Sequence, residues 1–82
     1  MEPLRSFLNR IRWHPELASG TYELGVYDRV QDAVVRVPLD TVRFEPGNAF
    51  AFFLENVEGQ TLTVPLHRVR AVYRDGELVW SR

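Results

Sequence analysis

Val64-Pro-Leu-His-Arg-Val-Arg-Ala-Val-Tyr-Arg-Asp-Gly-Glu-Leu-Val-Trp-Ser-Arg82 carries the strongest fold signals in this chain. Asp75-Gly76 is a two-residue turn of the type I′ class, in which both central residues take positive φ. The turn sets Arg74 opposite Glu77, Tyr73 opposite Leu78 and Ala71 opposite Trp80. Strand alternation then predicts one buried face of Val69, Ala71, Tyr73, Leu78 and Trp80. Arg70, Arg74, Glu77 and Ser81 face outward, with Val72 and Val79 between them. The Arg74–Glu77 pair adds about 0.2–1 kcal/mol to the register.

The beginning of this stretch repeats an earlier one. Val37-Pro-Leu-Asp-Thr-Val-Arg43 and Val64-Pro-Leu-His-Arg-Val-Arg70 agree at five of seven positions. Asp40-Thr41 in the first copy becomes His67-Arg68 in the second. If both copies serve one structural purpose, the changed pair marks where chemistry has been added.

Working outward, Leu4, Phe7, Leu8 and Ile11 fall at i, i+3, i+4 and i+7 and predict a helix over 3–13. Pro3 suits its first turn, and Pro15 disfavours helical geometry at His14. Thr21 to Arg29 alternates, with Tyr22, Leu24 and Val26 on one face and Glu23 and Tyr27 on the other. Val30-Gln31-Asp32 turns the chain into Ala33–Val37, and Pro38 ends that pairing or sits at a sheet edge. Leu39 to Val42 is a short turn that sends Val42 inward. Glu45-Pro-Gly-Asn48 is a loop. Ala49–Leu54 is apolar on both parities, as in a strand covered on both faces. Asn56-Val-Glu-Gly59 turns into a strand over 60–64. Strands over 69–74 and 77–81 complete the series. These elements predict one α+β domain over residues 1–82: an N-terminal helix packed on a curled or barrel-like antiparallel sheet of five to six short strands.

Eighty-two residues allow one modest core. A hydrophobic content of 45% and a charged content of 26% describe a globular chain. No apolar run reaches membrane-spanning length and no leader pattern opens the chain, so a cytoplasmic protein is expected. Without Cys there are no disulfides or thiolate ligands, and with only His14 and His67 a zinc site is not expected. No cofactor is expected either. All ten basic residues are Arg. The plain reading of that bias is composition; the functional one is a guanidinium fork that grips phosphate bidentately. The positive charge gathers in residues 1–13 and 64–82, which form one basic face if the fold joins them. A formal net charge of −1 argues against a long non-specific nucleic-acid groove.

The candidate chemistry centres on His67-Arg68. Strict alternation turns His67 inward as a hydrogen-bonded core residue. Pro65 resets the phase on the other reading, leaving both side chains at a strand end over a groove. Arg29 closes the first strand, where Asp28 either makes a solvated turn or holds the guanidinium for phosphate. Trp13 and Tyr73 are core aromatics or stacking platforms for a base. A His14/His67 acid–base couple has only the two imidazoles in its favour. No phosphate loop, nucleophile elbow or metal motif is present.

One order of motifs brings these residues together: Ile11-Arg-Trp-His14 ending the helix, Tyr27-Asp-Arg29 ending a strand, Val-Pro-Leu, Pro65-Leu-His-Arg-Val69, and a final Val79-Trp-Ser-Arg82. Over nearly the whole chain this resembles the RNA cyclic-group-end recognition domain family of small, mostly archaeal proteins, also found fused to RNA-processing modules. The resemblance departs at Val30-Gln-Asp-Ala33, where many members have a glycine-containing turn.

The resemblance implies an RNA-binding module for 3′ ends bearing a 2′,3′-cyclic phosphate, working in RNA processing or repair beside RNA-processing enzymes. His67, Arg68 and Arg29 would contact the phosphate, Asp28 would orient Arg29, and Trp13 or Tyr73 would stack a base. The alternatives are a small cyclic phosphodiesterase or ribonuclease using His67, and a protein-interaction module that docks through an exposed Val72/Val79 face or a sheet edge.

Overall fold

The two Val-Pro-Leu copies are corners at which the chain changes sheets. In the computed structural model, which describes residues 2–45, 47, 50–55 and 58–82, both copies form the same unit. Pro38 and Pro65 are extended, and each is followed by one turn of 3-10 helix, Leu39–Thr41 and Leu66–Arg68. The amides of Val42 and Val69 close these turns on the carbonyls of Leu39 and Leu66. Proline suits the position because it fixes φ and ends strand pairing.

Helix α1 spans Leu4–Trp13 and a short α2 spans Pro15–Ala18. The strands are β1 (Tyr22–Asp28), β2 (Ala33–Pro38), β3 (Val42–Arg43), β4 (Ala51–Glu55), β5 (Thr61–Pro65), β6 (Val69–Arg74) and β7 (Glu77–Ser81). They form two antiparallel sheets, in the orders β2-β1-β6-β7 and β3-β4-β5. The first corner leads from β2 to β3 and the second from β5 to β6. The fold is therefore α+β as expected, but the described strands make two sheets and no closed barrel. The expected turn at Asn56-Val57, the start of the third long strand at Ala49, and Pro46 and Asn48 of the loop lie outside the described residues. Among the described residues no helix is long and apolar enough to cross a membrane.

Leu4, Phe7 and Ile11 bring the predicted helix stripe onto Tyr22, Leu24, Val26, Val69, Val72 and Trp80 of the four-stranded sheet. Phe52 of the second sheet is fully buried in the same cluster. The indole N–H of Trp80 donates to the Glu2 carbonyl at 2.7 Å and fixes the start of the helix. Phe50, expected inside, is 83% exposed.

The Asp75-Gly76 turn has the two positive φ values it needs, 51° and 84°. Arg74 pairs with Glu77 and Tyr73 with Leu78, as the turn dictates. Beyond them the register departs from simple alternation. Val72 lies opposite Trp80 and Ala71 opposite Ser81, so Val79 is a bulged extra residue. A second bulge occurs against β1, where Gly25 pairs with Ala71 and Val26 with Val69, leaving Arg70 as the extra residue. Each bulge reverses the side-chain phase. Val72 thus becomes a fully buried core residue. It cannot form the exposed Val72/Val79 docking face that alternation predicted. Leu78 is 55% exposed and Tyr73 moves to the outer face.

The arginines of the two ends are not gathered at one site either: Arg5 and Arg12 line a hollow beside α1, and Arg68 and Arg70 line a different cleft. Arg10 pairs with Glu2 at 2.8 Å. Arg74 does not ion-pair with its cross-strand partner Glu77 but donates to the carbonyls of Glu16 (2.9 Å) and Ser19 (2.7 Å) at the end of α2. A cation capping orphan helix carbonyls accounts for this choice. Arg74→Ala is expected to lower unfolding free energy by about 1–3 kcal/mol, the scale for charged hydrogen bonds. Urea denaturation measures it.

Candidate functional site

The second corner displays its two variant residues differently. Leu66 is buried and anchors the 3-10 turn; His67 is exposed and Arg68 half-buried. The phase is reset by Pro65 and the turn, so the ring of His67 is not sealed in the core. Arg82 clasps this turn from the adjoining strand. Its Nε donates to the Val69 carbonyl at 2.7 Å and its Nη2 to the Leu66 carbonyl at 3.0 Å. Its amide donates to the Arg70 carbonyl at 3.1 Å. The guanidinium thereby brackets the backbone that carries His67 and Arg68.

The end of β1 supplies the facing wall. Tyr27, Arg29, His67, Arg68 and Arg70 line one open cleft of about 360 Å³. Arg70 reaches it because the bulge releases it from the β1 pairing, and its guanidinium lies 5.2 Å from the centre of the Tyr27 ring. The Tyr27 hydroxyl donates to Asp32 Oδ1 at 2.5 Å. That bond raises the phenol above its usual pKa; the arginines Arg70 and Arg29 oppose it less strongly. The phenol therefore stays protonated across the neutral range. Asp32 itself sits at φ 50°, taking the left-handed turn position that glycine otherwise favours.

Asp28 is not engaged as its neighbour's orienter. Its carboxylate accepts from the amides of Val30 (2.9 Å) and Gln31 (3.4 Å) and shapes the turn that carries Arg29. A side chain two residues before a free turn amide finds that partner locally. Among the described residues no carboxylate ion-pairs with Arg29, Arg68 or Arg70. Trp13 is 69% exposed on α1, donates to Asn9 at 3.0 Å, and does not line the cleft. His14 lies 4.0 Å from Glu16 and is likewise absent from it, so the structure does not assemble the His14/His67 couple there. Tyr73 is on the outer sheet face, beneath the Arg36 guanidinium at 3.8 Å.

A larger hollow of about 1000 Å³ lies between α1 and the first corner. Leu8, Ile11, Leu39, Val42, Phe44 and Leu66 make its apolar wall, Arg5, Arg12 and Glu45 supply its charged groups, and it holds no imidazole. Size favours the hollow, but its two arginines share the wall with Glu45, whereas the smaller cleft is lined by three arginines and an imidazole with no carboxylate among them, which favours the cleft as the anion site.

The family model for the MJ1316 RNA cyclic group end recognition domain matches residues 1–82, the whole chain. The chain belongs to this family. No solved structure matches it. In this RNA cyclic group end recognition domain, the family's name points to RNA ends as the partner. The sequence-predicted His67, Arg68 and Arg29 are together in the cleft. Sequence reasoning missed Arg70, Tyr27 and Arg82 as parts of the assembly. The Tyr-x-Arg order at Tyr27 could have flagged the phenol; the bulge that frees Arg70 and the clasp by Arg82 have no local signal.

Proposed function

We propose that this domain binds RNA 3′ termini through the cleft, with the 2′,3′-cyclic phosphate as the preferred end, in RNA processing or repair. The convergence of His67, Arg68, Arg29 and Arg70 on one exposed cleft carries the reading. The charge of the site supports the cyclic form. Three arginines stand against the carboxylates of Asp28 and Asp32 at its turn, which leaves one net positive charge with the imidazole counted neutral. A cyclic phosphodiester carries one negative charge, whereas an opened terminal phosphate carries about 1.5–2 at pH 7. The nearby carboxylates penalise the more highly charged end. Arg29 and Arg68 would hold the non-bridging oxygens, His67 would donate from its ring N–H, and Asp28 would serve by holding the turn that presents Arg29.

The test is fluorescence-anisotropy titration of one oligonucleotide sequence ending in 2′,3′-cyclic phosphate, 3′-phosphate or 3′-hydroxyl. The cyclic end should bind roughly tenfold or more tighter than the hydroxyl end, because the hydroxyl end has no terminal anion to accept charge-assisted hydrogen bonds. Equal affinity for all three ends overturns the reading. Chromatography of the cyclic oligonucleotide after incubation completes the test. Conversion to an opened phosphate that is lost in His67→Ala would replace recognition by hydrolysis as the function.

A further inference from the structure

The outer face of the four-stranded sheet continues out of the cleft. On β1, Glu23, Gly25 and Tyr27 share this face by alternation. Glu23 pairs with Tyr73 and Gly25 with Ala71 on β6. Gly25 pairs with Arg36, and Tyr27 with Val34, on β2. The helix and the core cluster occupy the opposite face, and here Val34 and Leu78 remain 48% and 55% exposed.

Two aromatic–guanidinium stacks stand on this open face. Arg70 lies over Tyr27 at 5.2 Å, and Arg36 over Tyr73 at 3.8 Å. Glu23 lies 3.6 Å from Arg36 and steadies it over the ring. Gly25 separates the stacks and keeps the surface low between them. A Cβ there would meet Val34 at 3.1 Å and Tyr73 at 3.2 Å, so a side chain would press on both and raise the surface between the stacks. Tyr27 and Arg70 belong to both the cleft and the face. Tyr27 is four residues along β1 from the strand partner of Tyr73, or about 13 Å. An extended single strand covers that in a few nucleotides.

We infer that this face is the track for the nucleotides that precede the bound RNA end. The inference rests on the proposed end-binding cleft and adds the path, its direction and its residues. The terminal phosphate sits among Arg29, His67 and Arg68. The last base stacks near Arg70 and Tyr27, and an earlier base stacks on the Arg36–Tyr73 pair. Planar guanidiniums and phenol rings take any base on its π-face, so the track tolerates sequence. The side chains argue for RNA over a protein strand: among the described residues both arginines of the face lie over aromatic rings, a surface suited to flat bases, while the carboxylates beside them are engaged, Glu23 with Arg36 and Asp32 with the Tyr27 hydroxyl.

The experiment is a length series. Cytidine 2′,3′-cyclic monophosphate and oligonucleotides of two, three, four and six residues with the same cyclic end are titrated against the wild type, Arg36→Ala and Tyr73→Ala. Affinity should climb over the first few nucleotides and then level off. Both variants should flatten the climb, by roughly tenfold at the plateau, and leave binding of the mononucleotide unchanged. Arg36 is a half-exposed side chain, so its variant keeps the test sound if Tyr73→Ala folds poorly. A mononucleotide that binds as tightly as the hexamer overturns the track and leaves the face to a protein partner; so does a variant that weakens all lengths equally. Failure of the cleft reading looks different: cyclic and hydroxyl ends bind alike, while the length dependence and its loss in Arg36→Ala persist.

Discussion

Phe52→Ala is expected to reduce the unfolding free energy by about 3–5 kcal/mol, the range for removing a buried aromatic ring from a packed core. Phe52 is fully buried and is the large side chain that the second sheet sends into the core under the first. Phe44 lies beside it with ring centroids 6.0 Å apart. Val42, Leu54 and Val64 of the second sheet pack around the same cluster but are only partly buried, so Phe52 is that sheet's main contribution to the core. A domain of 82 residues has a total stability of roughly 4–12 kcal/mol. The substitution therefore removes a quarter or more of it. Urea or thermal denaturation measures the loss, and a change below about 1 kcal/mol would mean that the sheets do not share one core. The same truncation at Phe50, which is exposed, should cost far less.

The elements with local causes were legible in the sequence. The Leu4–Phe7–Leu8–Ile11 period gave the helix, and Asp75-Gly76 gave the hairpin turn and the pairs next to it. The repeated Val-Pro-Leu pointed to two equivalent units, which prove to be the two corners between sheets. What was not legible depends on partners distant in sequence. A bulge at Val79 or Arg70 is decided by how β6 must twist to pair with both β1 and β7, and no residue there announces it. Two such bulges were enough to move Val72 into the core and Tyr73 out of it. Strand alternation, extrapolated past the turn, assigned both wrongly.

The candidate site divides in the same way. His67 and Arg68 stood out as the difference between two copies of one motif, and Arg29 as a strand-end arginine. Arg70 joins them only because the bulge expels it. Arg82 was legible only as the end of a motif; its grip on the Leu66 and Val69 carbonyls spans 16 and 13 residues. Asp28 illustrates the opposite error. A carboxylate next to an arginine invites an ion pair, but the backbone amides two and three residues ahead are nearer partners.

The repeat also provides the sharpest test of the cleft. His67→Asp with Arg68→Thr writes the sequence of the first corner into the second. The fold should accept it, because Leu39–Thr41 already makes the same 3-10 turn with Asp40 and Thr41. In that turn the Thr41 hydroxyl donates to the Pro38 carbonyl at 2.7 Å, and a threonine at 68 has the carbonyl of Pro65 in the equivalent place. Neither replaced side chain is fully buried, so the unfolding free energy should change by less than about 1 kcal/mol. Binding should behave oppositely. Two charge-assisted contacts at about 1.5–3 kcal/mol each are lost, and a carboxylate now faces the phosphate. The affinity for a cyclic-ended oligonucleotide should fall at least about 100-fold. The salt dependence of log K should also become shallower by about 0.7 per phosphate contact removed from a single strand. A variant with wild-type stability and wild-type affinity would remove this corner from the binding site. Loss of both together would show that the pair supports the fold, and the separation of the two effects is what the exposed position of His67 demands.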